Sequence, residues 1–438
     1  MPLTTRKGLQ ESEPVSDVLR SLTGRSYLLL TFLAVVLPTG SVYGVNVKTI
    51  SLGFFLVALA IYLVDRTQLW FSFRETIFIL LTFAFLLLWT LVGILNPHTK
   101  PAEVMSHFSI ISSTILIAWS GIFLIRKNVI KVESLLRTDV YAVFAMSCAK
   151  VLLTAIVVFY SADIVGGIES VFGQESFLPG GNIIEGLAIS RIGFPSDIFC
   201  PLAFFVFLTP RIGGVRFGRP FSFIFCSVVL AAGFITYSRY VWFLFAVAIV
   251  AAFVVQKNWK MLSVAVLIMA ASFFWFNEQV GMIYQDRFLS DQTADSDAIR
   301  TEQAHALTEG FAASPFLGKG IGASAHGTIR SETRPYSYEL QWLAYLMQFG
   351  IIGMIGLLLL VAVAAKDLMM ARHPGTIYVG IFFLLWLASG LTNPYLGSSF
   401  AGAIFAFFMG IFHRLRNQRS SAVCQSQLDS THASGITV

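Results

Sequence analysis

The chain has 438 residues, of which 56% are hydrophobic and only 12% charged, and it carries a formal net charge of +6. That charged share is roughly half of what an ordinary globular domain carries, and a soluble core has no room for so much apolar surface. Composition thus excludes a soluble enzyme and points to a lipid-embedded bundle whose backbone polar groups are satisfied inside helices. Strand-period alternation is absent, which argues against a transmembrane barrel.

In chain order, residues 1–25 are polar and lack a signal-peptide pattern, so the first apolar run is expected to act as an uncleaved anchor. Twelve apolar runs follow, at 26–43, 49–64, 76–95, 108–125, 140–160, 197–210, 221–237, 240–255, 261–277, 339–364, 376–391 and 397–412. Most approach the length needed to cross about 30 Å of hydrocarbon, although 49–64, 197–210 and 240–255 are short. The expected fold is an all-α polytopic membrane protein of about 12 transmembrane helices. Its bundle covers 26–413, with cytosolic tails at 1–25 and 414–438 and one large outside loop between the ninth and tenth helices. The stretch after Arg419 is polar and short and reads as disordered.

Lys and Arg set the orientation. With the N-terminus in the cytosol, 20 fall on the cytosolic side, among them Arg126, Lys127, Arg216 and Lys257, and 9 fall outside, with Lys150 left within a helix. Five of the outside nine lie in the long loop, where the positive-inside rule has little force. Both termini are therefore expected in the cytosol, and the basic balance is a topological signature that needs no nucleic acid. Cys148, Cys200 and Cys226 fall within spans and Cys424 in the tail, so no disulfide framework is implied.

Two outside segments are long, 161–196 and 278–338, and loops of that length are usually functional or disordered. Within the second, Asp297–Glu309 reads as a helix with an acidic start and Gly310 just past its end. Arg300, Ala304, Leu307 and Phe311 share one face at helical spacing, which directs Arg300 toward the mouth of the bundle.

Four stretches carry residues suited to chemistry. Arg191-Ile-Gly-Phe-Pro-Ser-Asp197 lies where the first long loop returns to the membrane, and Tyr237-Ser-Arg-Tyr-Val-Trp242 forms a tight outside turn. Arg300 precedes Ser314-Pro-Phe-Leu-Gly-Lys-Gly-Ile-Gly322, and Tyr336-Ser-Tyr-Glu339 opens the tenth run, which continues to Gly350-Ile-Ile-Gly353. At these residues the chain resembles the O-antigen ligase and polymerase superfamily, the Wzy-type polymerases and their ligase relatives. Arg191, Gly193, Phe194 and Pro195 resemble the family's Arg-x-x-Gly-x-Phe-x-x-Pro segment with shortened spacing. Ser238, Arg239 and Trp242 match its Ser-Arg-x-x-Trp turn. Arg300, Pro315, Gly318 and Gly320 resemble an Arg followed by Pro-x-x-Gly-x-Gly. Glu339 stands eleven positions before Gly350, where ligases usually carry a His, and this departure favours a polymerase.

The resemblance implies polymerisation of polyprenyl-pyrophosphate-linked oligosaccharide repeats into O-antigen or exopolysaccharide, at the outer leaflet of a bacterial inner membrane. It implies no cofactor. Its partners would be the lipid-linked glycan, membrane lipid and a chain-length regulator protein. Guanidinium groups bind phosphate oxygens with paired, charge-assisted hydrogen bonds, and fixed cations stabilise a pyrophosphate leaving group as its charge develops. Arg191, Arg239 and Arg300 are the candidate donor ligands and stand where other glycosyltransferases use a metal. Glu339 is the candidate general base toward the acceptor hydroxyl, with Tyr336 and Tyr338 as further substrate-binding residues.

Each residue also has a plainer reading. Arg239 serves as an interfacial anchor, Arg191 pairs with Asp197 or Glu185, Arg300 snorkels to water, and Glu339 is a helix-start anion. Gly318–Gly322 lacks the strand–helix setting of a phosphate loop and reads as a turn. His305 and His326 lack a third ligand, so no metal site is expected. Lys150, a cation inside a span, either lines an interior path, pairs with a carboxylate or snorkels. With Asn393-Pro394 it supports the rival reading, a solute or polysaccharide transporter with a broken helix. A ligase is the other alternative.

Overall fold

In the computed structural model, which describes residues 14–37, 41–42, 45–65, 72–160, 180–184, 187–275, 291–325, 327–328, 334–366, 370 and 374–434, the apolar runs are helices. They are α1 (Pro14–Val36), α2 (Val47–Asp65), α3 (Phe73–Leu95), α4 (Pro101–Arg126), α5 (Val132–Tyr160), α6 (Phe199–Leu208), α7 (Pro210–Gly213), α8 (Arg219–Ile235), α9 (Arg239–Gln256) and α10 (Trp259–Trp275). After these come α11 (Asp291–Ala312), α12 (Gln341–Ala364), α13 (Pro374–Ala388) and α14 (Ser399–Ser434). Two antiparallel hairpins join them, β1 (Ser41–Val42) with β2 (Val45–Asn46) and β3 (Gly180–Ile184) with β4 (Leu187–Arg191).

Among the described residues seven helices are long and apolar enough to cross a membrane, and three shorter apolar helices accompany them. The chain is an all-α polytopic membrane protein. Local chemistry fixes several boundaries. Ser72 and Glu75 form a capping box, the Glu75 N–H donating to Ser72 Oγ at 3.3 Å and the Ser72 N–H to Glu75 Oε2 at 2.8 Å. Pro101 opens α4, where its missing N–H has no partner to lose.

The helices meet through small residues and interhelical hydrogen bonds, as expected where lipid supplies no hydrophobic drive between them. Gly402 and Ala406, one turn apart on α14, face α4. A β-carbon on Gly402 would stand 2.4 Å from the Thr114 carbonyl oxygen, and one on Gly121 would stand 2.7 Å from Ala406. Thr114 Oγ1 donates to Ser398 O at 2.9 Å, and Tyr27 Oη donates to Ile117 O at 2.9 Å. Helix α6 is buried from Phe199 through Phe207, which explains how so short an apolar run is accommodated: it is the centre of the bundle.

Three expectations are corrected. The first run ends as helix at Val36 instead of continuing to 43. The tail read as disordered continues α14 to Ser434, because no Gly or Pro interrupts it before Gly435. The loop helix extends over Asp291–Ala312, and Gly310 lies inside it. A β-carbon on Gly310 would stand 2.8 Å from Met347 Sδ, so this glycine serves close packing against α12 and does not end the helix.

Candidate active site

Helix α12 is broken at Gly350, whose φ of +64° and ψ of −175° only glycine adopts readily. The break strands backbone groups in an apolar setting, where each must find another partner. The glycine-rich loop supplies those partners. The Lys319 and Gly320 N–H groups donate to Met347 O (2.9 Å) and Gln348 O (2.8 Å), while Ile351 and Ile352 N–H donate to Pro315 O (2.9 Å) and Phe316 O (3.1 Å). Trp89 Nε1 donates to Leu317 O and Phe349 O, each at 2.9 Å, and the Ile321 N–H donates to Trp89 O at 3.0 Å. The loop is therefore a splice across a broken helix. Its Lys319, Gly320 and Ile321 amides are spent on protein carbonyls, which rules against a phosphate cradle there.

Four of the residues singled out by the sequence lie on α11 and in the segment leading into α12. Arg300 Nε, on α11, donates to Glu339 Oε2 at 2.7 Å, each side chain about a quarter exposed (26% and 23%). The Glu339 N–H donates to Gln303 Oε1 at 3.3 Å, and Gln303 and Leu307 are buried on the same face of α11 as Arg300. Tyr338 is buried and its hydroxyl accepts from the Ala325 N–H at 2.7 Å. Burial pushes the Tyr338 phenol above its ordinary value, although the Ala325 bond opposes the shift, so it keeps its proton at neutral pH. The Tyr336 ring stacks on His107 with centroids 4.3 Å apart, and its hydroxyl shares a 2.8 Å hydrogen bond with Ser106 Oγ.

His107 and Ser106 on α4 escape the sequence reading, because a lone His at the edge of an apolar run carries no spacing signal. The Gly322 N–H donates to His107 Nδ1 at 3.1 Å, so a neutral ring carries its proton on Nε2. Beside this group, a cavity of about 560 Å³ is bounded by Lys100, Glu103, Lys319, Ser324, Ala325 and Pro335.

A second group holds the other arginines. Arg191 closes β4, its Cα opposite Gly180, and its side chain and Glu185 lie outside the described residues. Arg239 opens α9, half-buried, directly after Ser238. Between these segments sits Lys150, fully buried on α5. Its Nζ donates to Asp197 Oδ2 at 2.6 Å and to Thr236 Oγ1 at 2.7 Å. Asp197, one of the partners expected for Arg191, thus engages Lys150 through Oδ2, and Lys150 takes a carboxylate rather than snorkelling.

The end of α13 links the two groups. Trp342 Nε1, on α12, donates to Leu387 O at 2.7 Å, and Tyr240, next to Arg239, donates through its hydroxyl to Leu385 O. The break at Asn393-Pro394 is filled by the same helix start, since the Leu396 N–H donates to Gln341 Oε1 at 2.8 Å. His305 pairs with Glu309 at 3.5 Å, and His326 lies outside the described residues.

The stretch from the Arg239 turn through Arg300, Tyr336, Tyr338 and Glu339 into broken α12 is the part of the chain that a known family resembles. Residues 221–358 match the O-antigen ligase family model. The match is consistent with the O-antigen ligase and polymerase superfamily that the four motifs resemble, and it supports a membrane-bound, polysaccharide-related function. No curated protein matches this chain. Within the matched stretch fall Arg239, Arg300, Tyr336, Tyr338 and Glu339, whereas Arg191, Lys150, Asp197 and His107 lie before it.

Proposed function

We propose that the protein is a membrane glycosyltransferase that polymerises polyprenyl-pyrophosphate-linked oligosaccharide repeats at the outer leaflet of a bacterial inner membrane. The observation that carries this reading is the Arg300–Glu339 ion pair within the stretch matched by the O-antigen ligase family. An Arg beside a carboxylate at a membrane face supplies both a phosphate ligand and a proton acceptor. In this reading the bundle has twelve spans with both termini in the cytosol, and 278–338 lies outside. Arg191, Arg239 and Arg300 bind the pyrophosphate, doing without a divalent metal. Tyr336 and Tyr338 bind the glycan, and Glu339 takes the proton from the acceptor hydroxyl as the new glycosidic bond forms and the pyrophosphate leaves. A chain-length regulator is the expected protein partner.

The ligase reading is favoured by the matched family's own description. The two differ in what accumulates when the enzyme fails. Loss of a polymerase leaves single repeats on the carrier or final acceptor, and loss of a ligase leaves long chains on the carrier. We expect single repeats in cells carrying Glu339→Gln at normal protein levels, read on an envelope glycan gel. Long carrier-linked chains would instead establish the ligase. Uptake of a labelled solute by proteoliposomes would favour the transporter.

A further inference from the structure

We propose that Lys150 is a positioning residue that holds the two arginine-bearing segments, Arg191–Asp197 and Thr236–Arg239, in one register. The proposal rests on the reading of those arginines as donor ligands.

A cation at 0% exposure in an apolar helix is costly and is retained where it serves a function. Lys150 leaves α5 toward two different segments. Asp197 Oδ2 accepts from it at 2.6 Å and also from the Phe194 N–H at 2.8 Å, which pins the turn that follows β4 and Arg191. Thr236 Oγ1 accepts from it at 2.7 Å while donating its own proton to Ala232 O at 3.0 Å, so this hydroxyl meets the ammonium with a lone pair. Thr236 lies three residues before Arg239. The Phe194 ring lies 5.6 Å from the ammonium and covers it. Through one side chain, three segments far apart in sequence are fixed together: mid-α5, the turn after β4 and the turn before α9.

Stability is a weak account of the arrangement. A buried ion pair is often replaceable by neutral groups of similar volume without loss of folding, whereas removal of one partner leaves an uncompensated charge. Asp197 Oδ1 is buried with no hydrogen-bond partner among the described residues. What the pair supplies is a directed link between the segments bearing Arg191 and Arg239. Misplacing a ligand by about 1 Å costs on the order of 100-fold in rate.

The test uses the full-length protein in proteoliposomes with lipid-linked donor. Lys150→Met combined with Asp197→Asn removes both charges and keeps an acceptor for the Phe194 N–H. The double variant should retain wild-type yield and thermal midpoint while transfer falls by about 10- to 100-fold. The deciding readout is coupling to Arg239. In an Arg239→Lys background the same double replacement should lower transfer by a clearly smaller factor than in wild type, because one of the two residues it positions is already compromised. Losses that multiply independently would overturn the proposal, as would a double variant with full activity. Full activity in Arg239→Ala would instead overturn the reading of Arg239 as a donor ligand, and the proposal with it. Loss in Arg239→Ala beside full activity in the double variant overturns the Lys150 proposal alone.

Discussion

Arg300 Nε and Glu339 Oε2 stand 2.7 Å apart, joining the loop helix to the start of broken α12 across 39 residues of sequence. The pair is partly exposed on both sides, so it is neither a screened surface contact nor a sealed core pair. A carboxylate so placed either orients its guanidinium or takes a proton itself, and the two roles separate experimentally.

If Glu339 only orients Arg300, Arg300→Lys and Glu339→Gln should not compound. As a general base, Glu339 should remain costly to lose once Arg300 is altered. We expect Glu339→Gln to reduce transfer by about 10²–10⁴-fold in wild type and by at least about tenfold in Arg300→Lys. Initial rates with lipid-linked donor check this, and a double variant no slower than Arg300→Lys makes Glu339 a positioning anion.

Topology is tested with single cysteines and an impermeant maleimide in intact cells. Positions 239 and 339 should label from outside, and 216 and 257 only after permeabilisation. External labelling of position 216 would overturn the twelve-span arrangement.

Transfer should persist in excess EDTA, because arginines are assigned the charge-neutralising role at the pyrophosphate. Activity lost in chelator and restored by magnesium or manganese would shift attention to Asp295 and Asp297. Both lie in the first turns of α11, with side chains outside those described.

The helix splice predicts a sharp contrast among glycines. A β-carbon on Gly350 would stand 2.3 Å from Phe316 O, and one on Gly318 would stand 2.4 Å from Gln348 O, both at positive φ. Gly350→Ala should lower stability by at least about 1–3 kcal/mol from backbone strain alone, read as reduced thermal midpoint in detergent. Gly53, inside α2 with open space where its β-carbon would go, is the control. Gly53→Ala should be neutral or stabilising by up to about 1 kcal/mol.

The class of the protein was legible in its composition, because a bilayer imposes one length and one polarity on every span, and among the described residues each apolar run contains a helix. The candidate site was legible only as separate stretches. Arg300, Tyr336, Tyr338 and Glu339 each stood out by residue type and resemblance. That Arg300 meets Glu339, and that Tyr336 stacks on His107, was decided by tertiary structure, since residues this far apart in sequence meet only once α11 and α4 pack against α12. Lys150 was conspicuous as a charge in a span, yet its partners lie 47 and 86 residues away. The glycine-rich loop read locally as a turn. Its role as the splice across α12 follows from a rule that acts on the folded bundle as a whole: backbone groups freed inside an apolar environment must be satisfied by whatever backbone the fold brings beside them.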